Sequence, residues 1–330
     1  MSRSLVFVTQ QVDPEHPVLA ATVPKIAALA ARLDEVVVLA DRAVPGVLPG
    51  NCRVIEFGAA SRAARGRLYL AALTRELQPQ PLAMLVHMIP LLAVVGAPVA
   101  RARRVPILLW FTHWKRSRTL VLAERASKAV LTVERRSFPL DSRKVIPIGH
   151  GIDLSSFPCT RREPAERLRV VALGRTSPAK GYETIARAAA LADVDLELRG
   201  PSITEEERAE RARLERLGAH VEDPVAYRDV PALLMSKDVL VNNMREGSLD
   251  KVVYEAAATC MPVLASNTGF DDVLPPELRF RRDDADGLAE RLTWLEQVNR
   301  DELGLGLRAA VEERHSVAHW ADAVIEAALA

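Results

Sequence analysis

What most constrains this chain is a pattern that runs through once, stops and starts again. Short apolar runs alternate with stretches of helical periodicity on both sides of a passage rich in Gly, Pro and Arg. In the first half, residues 5–9, 35–40, 53–57, 84–87, 106–111, 129–133 and 144–148 read as strands. Between them the spacing turns helical; over 18–33, apolar residues recur at intervals of three and four. Residues 149–167 read as a linker. The pattern then resumes, with strands expected at 169–173, 196–199, 239–243 and 262–266. Such alternation means parallel sheets covered on both faces, which receive ligands at the carboxyl ends of their strands. The expectation is an α/β chain of two Rossmann-like domains, residues 1–150 and 151–330, facing across a cleft suited to a small molecule.

Composition narrows the class. With 49% hydrophobic and 26% charged residues the chain can bury two cores, which excludes disorder. Cys52, Cys159 and Cys260 are odd in number and widely scattered. They match neither a disulfide framework nor a zinc spacing, so a reducing cytoplasm is expected. The N-terminus passes straight into a strand-like run without the apolar segment of a signal peptide. The most apolar stretch, 81–100, holds His87 and three prolines and reads as strand then helix, not as a membrane span.

The net charge of +1 hides an asymmetry. Residues 1–150 carry 21 Lys and Arg against 10 Asp and Glu, a net +11, and the remainder carries a net −10. Either the halves attract each other or the first meets something anionic. The groups Arg62/Arg65/Arg67, Arg101/Arg103/Arg104 and Lys115/Arg116/Arg118 leave three occupants open: an anionic membrane surface, a phosphorylated acceptor, or water. Aromatics make up only 5% of the chain, which argues against nucleic acid.

Two places carry legible chemistry. Gly174 closes an apolar run, and a short polar loop with Arg175, Pro178 and Lys180 leads into a helix expected from near Gly181. Cations beside the free N–H groups of a helix start suit a diphosphate. The order of Lys and Gly excludes a Walker loop. Glu255 lies among Val252, Val253, Ala256 and Ala257, where a carboxylate is costly to bury without hydrogen-bonding partners. His113 follows the run 106–111 and is placed at the mouth of the first sheet, as a structural histidine or a site residue. His315 and His319 are four apart but lack a third ligand, so no metal site is expected there. A dinucleotide-binding oxidoreductase or epimerase is disfavoured, because Gln10-Gln11 follows the first strand and no glycine occurs before Gly46.

Several segments together resemble the group 1 retaining glycosyltransferases of GT-B fold. Ile146-Pro-Ile-Gly-His-Gly-Ile-Asp-Leu-Ser-Ser-Phe157 resembles their hinge, and Leu173-Gly-Arg-Thr-Ser-Pro-Ala-Lys-Gly-Tyr182 their donor-phosphate loop. Gly247-Ser-Leu-Asp-Lys-Val-Val-Tyr-Glu-Ala256, followed by Met261-Pro-Val-Leu-Ala265, resembles their nucleotide-sugar helix and next strand. His87-Met-Ile-Pro90, Leu109-Trp-Phe-Thr-His-Trp114 and Ser137-Phe-Pro-Leu140 are similar to motifs of one branch.

The resemblance implies metal-independent sugar transfer with retention from a nucleoside-diphosphate sugar, a co-substrate, with no cofactor. It makes Arg175 and Lys180, beside Gly174, the cations that neutralise the leaving diphosphate. It gives Glu255 to the ribose hydroxyls, puts His113 near the donor sugar or its phosphate, and brings the last helix, near Trp320, back to the first domain. One departure is plain: eight residues before Glu255, where most relatives carry a sugar-holding glutamate, stands Gly247, with Glu246 nine away. That role is therefore expected to be shared among Glu246, Gly247, Ser248, Leu249 and Asp250. On the acceptor side Asp13 and His87 are the candidates. The acceptor stays open among a saccharide, a lipid-linked group and a small natural product. The alternatives are a non-catalytic nucleotide-sugar-binding protein and a Rossmann-type sugar-nucleotide-modifying enzyme. The location expected is cytoplasmic, peripheral at the membrane if the basic groups meet lipid.

Overall fold

The computed structural model describes every residue except 1, 2, 17, 18 and 164. The chain forms two compact units, one of Met1–Asp153 with Arg314–Ala330, the other of Leu154–Glu313. In the first, seven parallel strands arise from the apolar runs: β1 (Ser4–Val12), β2 (Glu35–Ala43), β3 (Cys52–Glu56), β4 (Met84–His87), β5 (Ile107–Trp110), β6 (Ala129–Thr132) and β7 (Val145–Pro147). Their order is β3-β2-β1-β4-β5-β6-β7, which reverses direction between β1 and β4. Helices α1 (Thr22–Ala30), α2 (Arg62–Glu76), α3 (Pro90–Ala102) and α4 (Arg118–Ala126) connect them. Val6, Val8, Met84, Val86, Ile107 and Leu109 face one core with Tyr69, Leu73, Ala93 and Leu120 from the helices. Alternate residues such as Phe7, Thr9, His87 and Trp110 take the opposite face, as the two-residue period of a strand requires.

The second unit has five parallel strands, β8 (Arg169–Leu173), β9 (Asp195–Arg199), β10 (Val221–Glu222), β11 (Val239–Asn242) and β12 (Val263–Ala265), in the order β10-β9-β8-β11-β12. Its helices are α5 (Tyr182–Ala192), α6 (Glu205–Arg216), α7 (Val230–Met235), α8 (Lys251–Ala258), α9 (Ala285–Gln297) and most of α10 (Arg300–His315). The last helix, α11 (Val317–Leu329), belongs to the first unit, where it packs beside α1. There the buried ammonium of Lys25 on α1 lies 4.6 Å from the Trp110 ring centroid and 5.3 Å from that of Trp320 on α11. Two aromatic faces offset part of the cost of burying that charge.

Every strand expected from the apolar runs is present, with two differences. β1 and β2 run on to Val12 and Ala43, in register from Ser4↔Glu35 to Val12↔Ala43, so Gln10 and Gln11 lie in the ladder instead of a loop. β10 spans two residues, too short to display any period. The apolar stretch 81–100 is β4 and the body of α3, and among the described residues no helix is long and apolar enough to cross a membrane.

The cysteines overturn one expectation. Cys159 and Cys260, 101 residues apart, form a disulfide with their Cα atoms 4.9 Å apart, and Cys52 stays free. Scatter along the chain says nothing about closeness in a fold whose strands return repeatedly to one edge. The disulfide holds the segment entering the second unit against the end of α8. Two arginines reinforce that junction by occupying the carbonyls a helix end leaves open. Arg162 donates to the carbonyls of Lys237 (2.6 Å), Thr160 (3.0 Å), Thr259 (3.0 Å) and Cys260 (3.1 Å), and to Thr259 Oγ1 (2.9 Å). Arg308 donates to Phe157 and Ala258 carbonyls, both at 2.6 Å. Arg162→Met keeps the stem but leaves these carbonyls unmet, and is expected to lower the unfolding free energy by about 2–4 kcal/mol. Equilibrium urea denaturation checks this; a loss below about 0.5 kcal/mol, the range of an ordinary surface change, would show that water replaces the guanidinium.

Candidate functional site

In the second unit the strand order reverses between β8 and β11, and the loops leaving their carboxyl ends open apart there. An open α/β sheet offers its ligand crevice at such a point. The β8 loop begins at Gly174, with φ +140°, and ends at Gly181, with φ +58°, just before α5. Both angles favour glycine. A Cβ at Gly174 would also overlap the Lys180 side chain, and one at Gly181 the amide of Asn243. The Tyr182 hydroxyl donates to the Gly174 carbonyl at 2.9 Å, fixing the start of the loop to the start of α5.

Lys180 joins the two loops. Its ammonium pairs with the Asp250 carboxylate from the β11 loop and donates to the Leu173 carbonyl at 3.3 Å. Asp250 Oδ2 also accepts from the Asn242 side-chain amide at 2.7 Å. Asp250 precedes α8 directly, yet its side chain makes no capping bond to that helix. The first-turn amides of α8 are thus left without a side-chain cap, beside a lysine. Arg175 is more exposed and meets Glu207 Oε1 at 3.2 Å. The other oxygen of Glu207 accepts from the amides of Ile203 (2.8 Å) and Thr204 (3.1 Å), closing a capping box on α6. The sequence reading named both cations and missed Glu207, whose only signal was the Thr204–Glu207 spacing.

Glu255 is 2% exposed, and its partners are local. Oε1 accepts from the Tyr227 hydroxyl at 2.7 Å and from Lys251 Nζ, one helical turn earlier, at 2.6 Å. The same ammonium sits 3.7 Å from the Tyr227 ring centroid. Burial holds it below the ordinary lysine range, although Glu255 pulls it back up. Neither partner was singled out from sequence, though Lys–x–x–x–Glu is a readable helical pair.

The residues expected to share the sugar-holding role divide. Glu246 accepts from the Thr268 amide and hydroxyl, both at 3.0 Å, so it ties the β11 loop to the turn after β12. Gly247 turns the chain with φ +77°. Asn267 donates to the carbonyls of Arg245 (2.8 Å) and Ser248 (2.9 Å). Leu249 is buried over Gly269. Asp250 alone of this group meets Lys180. Asn267 and Thr268 are additions to the site that no sequence motif had marked.

In the first unit His113 lies exposed in the loop between β5 and α4, where Nδ1 accepts the Lys115 amide at 2.9 Å and the ring stacks on Trp114 at 5.4 Å. His87 ends β4 at 5% exposure, stacked on Phe7 at 5.6 Å. Burial, with the Lys25 charge adding, holds its imidazole well below the ordinary range and so neutral. Asp13 Oδ1 accepts the Glu15 amide at 2.8 Å, a local turn bond. His315 is buried and receives the His150 amide at 3.2 Å. Among the described residues no group of three or more His, Cys, Asp or Glu is placed to hold a metal ion.

The Glu255 cluster generates a graded expectation. Tyr227→Phe removes one hydrogen bond to a carboxylate and should cost about 1.5–3 kcal/mol of stability. Glu255→Gln strands the Lys251 ammonium in a buried place and should cost more, about 3–5 kcal/mol. Lys251→Met in the Glu255→Gln background should recover part of that loss. Urea denaturation of the four proteins decides; equal costs for the two single changes, with no recovery, would mean that the Lys251–Glu255 pair is solvated.

Residues 167–297, which carry the whole of this arrangement, match the family described as glycosyl transferases group 1. Among curated proteins none matches the chain. Among solved structures the fold is shared with sucrose-phosphate synthase of Thermosynechococcus elongatus, at 17% identity over 98% of both chains and a TM-score of 0.76. A glycosyltransferase of Rickettsia africae aligns over 99% of this chain and 98% of its own, at 11% identity and a TM-score of 0.77. Anabaena HepE, solved in complex with UDP, aligns over 98% of both chains at 17% identity and a TM-score of 0.73. The fold is therefore the GT-B fold expected, and the part of the second unit over residues 167–297 is similar to the group 1 glycosyl transferases.

Proposed function

We propose that the chain transfers a sugar from a nucleoside-diphosphate sugar to a hydroxyl acceptor, with retention at the anomeric carbon and with its own cations at the leaving group. The observation that carries the reading is the Lys180 ammonium, held by Asp250 at the strand switch point beside the uncapped start of α8. As the bond from the anomeric carbon to the β-phosphate oxygen breaks, its electron pair leaves with the diphosphate. The acceptor oxygen bonds to the same carbon, and its proton is lost to the departing phosphate or to solvent. Negative charge grows on the phosphate through this step, and fixed donors aimed at growing charge lower the barrier. Lys180 has three N–H donors, two of them used on Asp250 and the Leu173 carbonyl, and the third serves the phosphate. Arg175 adds a second charge from a more exposed position. Glu255, held from one side by Tyr227 and Lys251, offers its other oxygen to the ribose hydroxyls. The turn from Glu246 to Asp250 lines the sugar side, and His113 is the first-unit candidate near the donor.

The complex of HepE with UDP makes uridine the base to test first. A thermal-shift series with UDP, GDP, ADP and TDP is expected to single out one nucleotide, because a ligand of the folded state alone raises the melting temperature. With that base fixed, Lys180→Ala should reduce turnover by about 10²–10³-fold, the usual effect of losing one transition-state donor, while the protein stays folded. Arg175→Ala should do less, since its guanidinium is more exposed. Release of nucleoside diphosphate from candidate sugar nucleotides is the readout. Wild-type turnover in both variants would remove the phosphate loop from the reaction.

A further inference from the structure

We propose that the loop between β5 and α4, with the outer face of α4, is a docking surface for an anionic lipid bilayer. The proposal concerns the first unit alone and goes beyond the transfer reaction. From His113 to Ala123 the chain reads His-Trp-Lys-Arg-Ser-Arg-Thr-Leu-Val-Leu-Ala, with three cations and no acid. Ser117 caps α4 by accepting the Leu120 amide at 3.1 Å, which fixes the faces of the helix. Leu120 and Ala123 turn inward. Arg118, Leu122 and Arg125, at the spacing of one helix face, turn outward, with Val121 beside them half-buried. Glu124, the one acid of α4, points aside and accepts from the Ser142 hydroxyl at 2.6 Å.

The result is an apolar surface fringed with positive charge. Leu122 is 51% exposed and Trp114 40%. Arg116, Ser117, Arg118, Val121 and Leu122 line a groove of about 590 Å³. Among the described residues Lys115, Arg116, Arg118 and Arg125 lie within eleven positions of one another, and no ion pair to a carboxylate is formed by any of them. Unpaired cations interleaved with an exposed indole and leucine fit the boundary of a bilayer. The apolar groups enter the acyl edge there, and the basic stems lie along it with their heads among the phosphates. A protein partner would have to place a matching acid opposite each of the four cations, whereas the phosphates of an anionic leaflet meet them wherever they lie along the surface. The bilayer's negative charge also answers the excess of +11 over residues 1–150.

The test is co-sedimentation of the full chain with vesicles of phosphatidylcholine, alone or mixed with phosphatidylglycerol, at low and high salt. Binding is expected only to the mixed vesicles and should fall with salt. Each basic side chain near an anionic surface contributes about fivefold in partition. Arg116→Glu with Arg118→Glu should therefore reduce binding by at least about 25-fold. Leu122→Ser should reduce it less and leave the salt dependence intact. Melting temperatures near wild type establish that the variants are folded, and this check does not rely on the donor-site reading. Equal binding to neutral vesicles, no sedimentation at low salt, or wild-type binding by the double variant would each overturn the proposal. The last outcome would assign the affinity to another basic group.

Discussion

The ammonium of Lys180 is the tie on which the candidate site depends. It reaches from the loop after β8 to the carboxylate of Asp250 in the loop after β11, and those two strands adjoin where the sheet order reverses. Connections leave the sheet in opposite directions at that point, so nothing in the backbone ladder holds the two loops at a fixed spacing. A side-chain bridge supplies what the ladder cannot. Its geometry is prepared on both sides. The glycine at 174 lets the lysine arm lie flat over the strand end, and Asn242 donates to the Asp250 carboxylate that meets it. The acid is thereby taken from the capping position of α8, leaving the helix start open beside a cation. An anion meets both features at once.

The same economy governs the other charges of this unit. A carboxylate at 2% exposure, as at Glu255, needs partners close at hand, and Lys251 and Tyr227 provide them within one helical turn and one adjacent segment. Glu207 serves the amides of α6 with one oxygen and Arg175 with the other. The phosphate-loop cations are therefore not free charges waiting for a ligand. Each is braced by an acid that sets its position, and the brace lowers the local positive charge while no anion is present.

These details mark where sequence reasoning reached and where it stopped. Strand positions and the fold class were legible, because period, turn residues and motif order are properties of contiguous sequence. The cost of burying Glu255 was legible too, since it follows from its apolar neighbours. What escaped were pairings between segments distant in sequence: Cys159 with Cys260, Arg162 with the end of α8, Glu246 with Thr268. No local pattern encodes them, because they depend on which loops the sheet topology brings to one edge. The two-residue strand β10 escaped for a different reason, being shorter than one period of the signal.

Between Glu246 and Glu255 the chain is irregular as far as Asp250 and helical from Lys251. Within a helix, one extra residue would turn the later side chains by about 100° relative to the earlier ones. Here α8 starts at Lys251, so the helical part from Lys251 to Glu255 keeps its own register. The irregular turn from Glu246 to Asp250 contains Gly247 with positive φ and is held by Asn267. A loop accommodates a residue by changing its path, at a small cost in closure entropy. Glu246 is drawn out to Thr268, where both oxygens are engaged, and Asp250 stands at the end of the turn against Lys180. The carboxylate next to the phosphate loop is thus the one that directly precedes the helix. Both carboxylates of this turn are already committed within the second unit, Glu246 to Thr268 and Asp250 to Lys180.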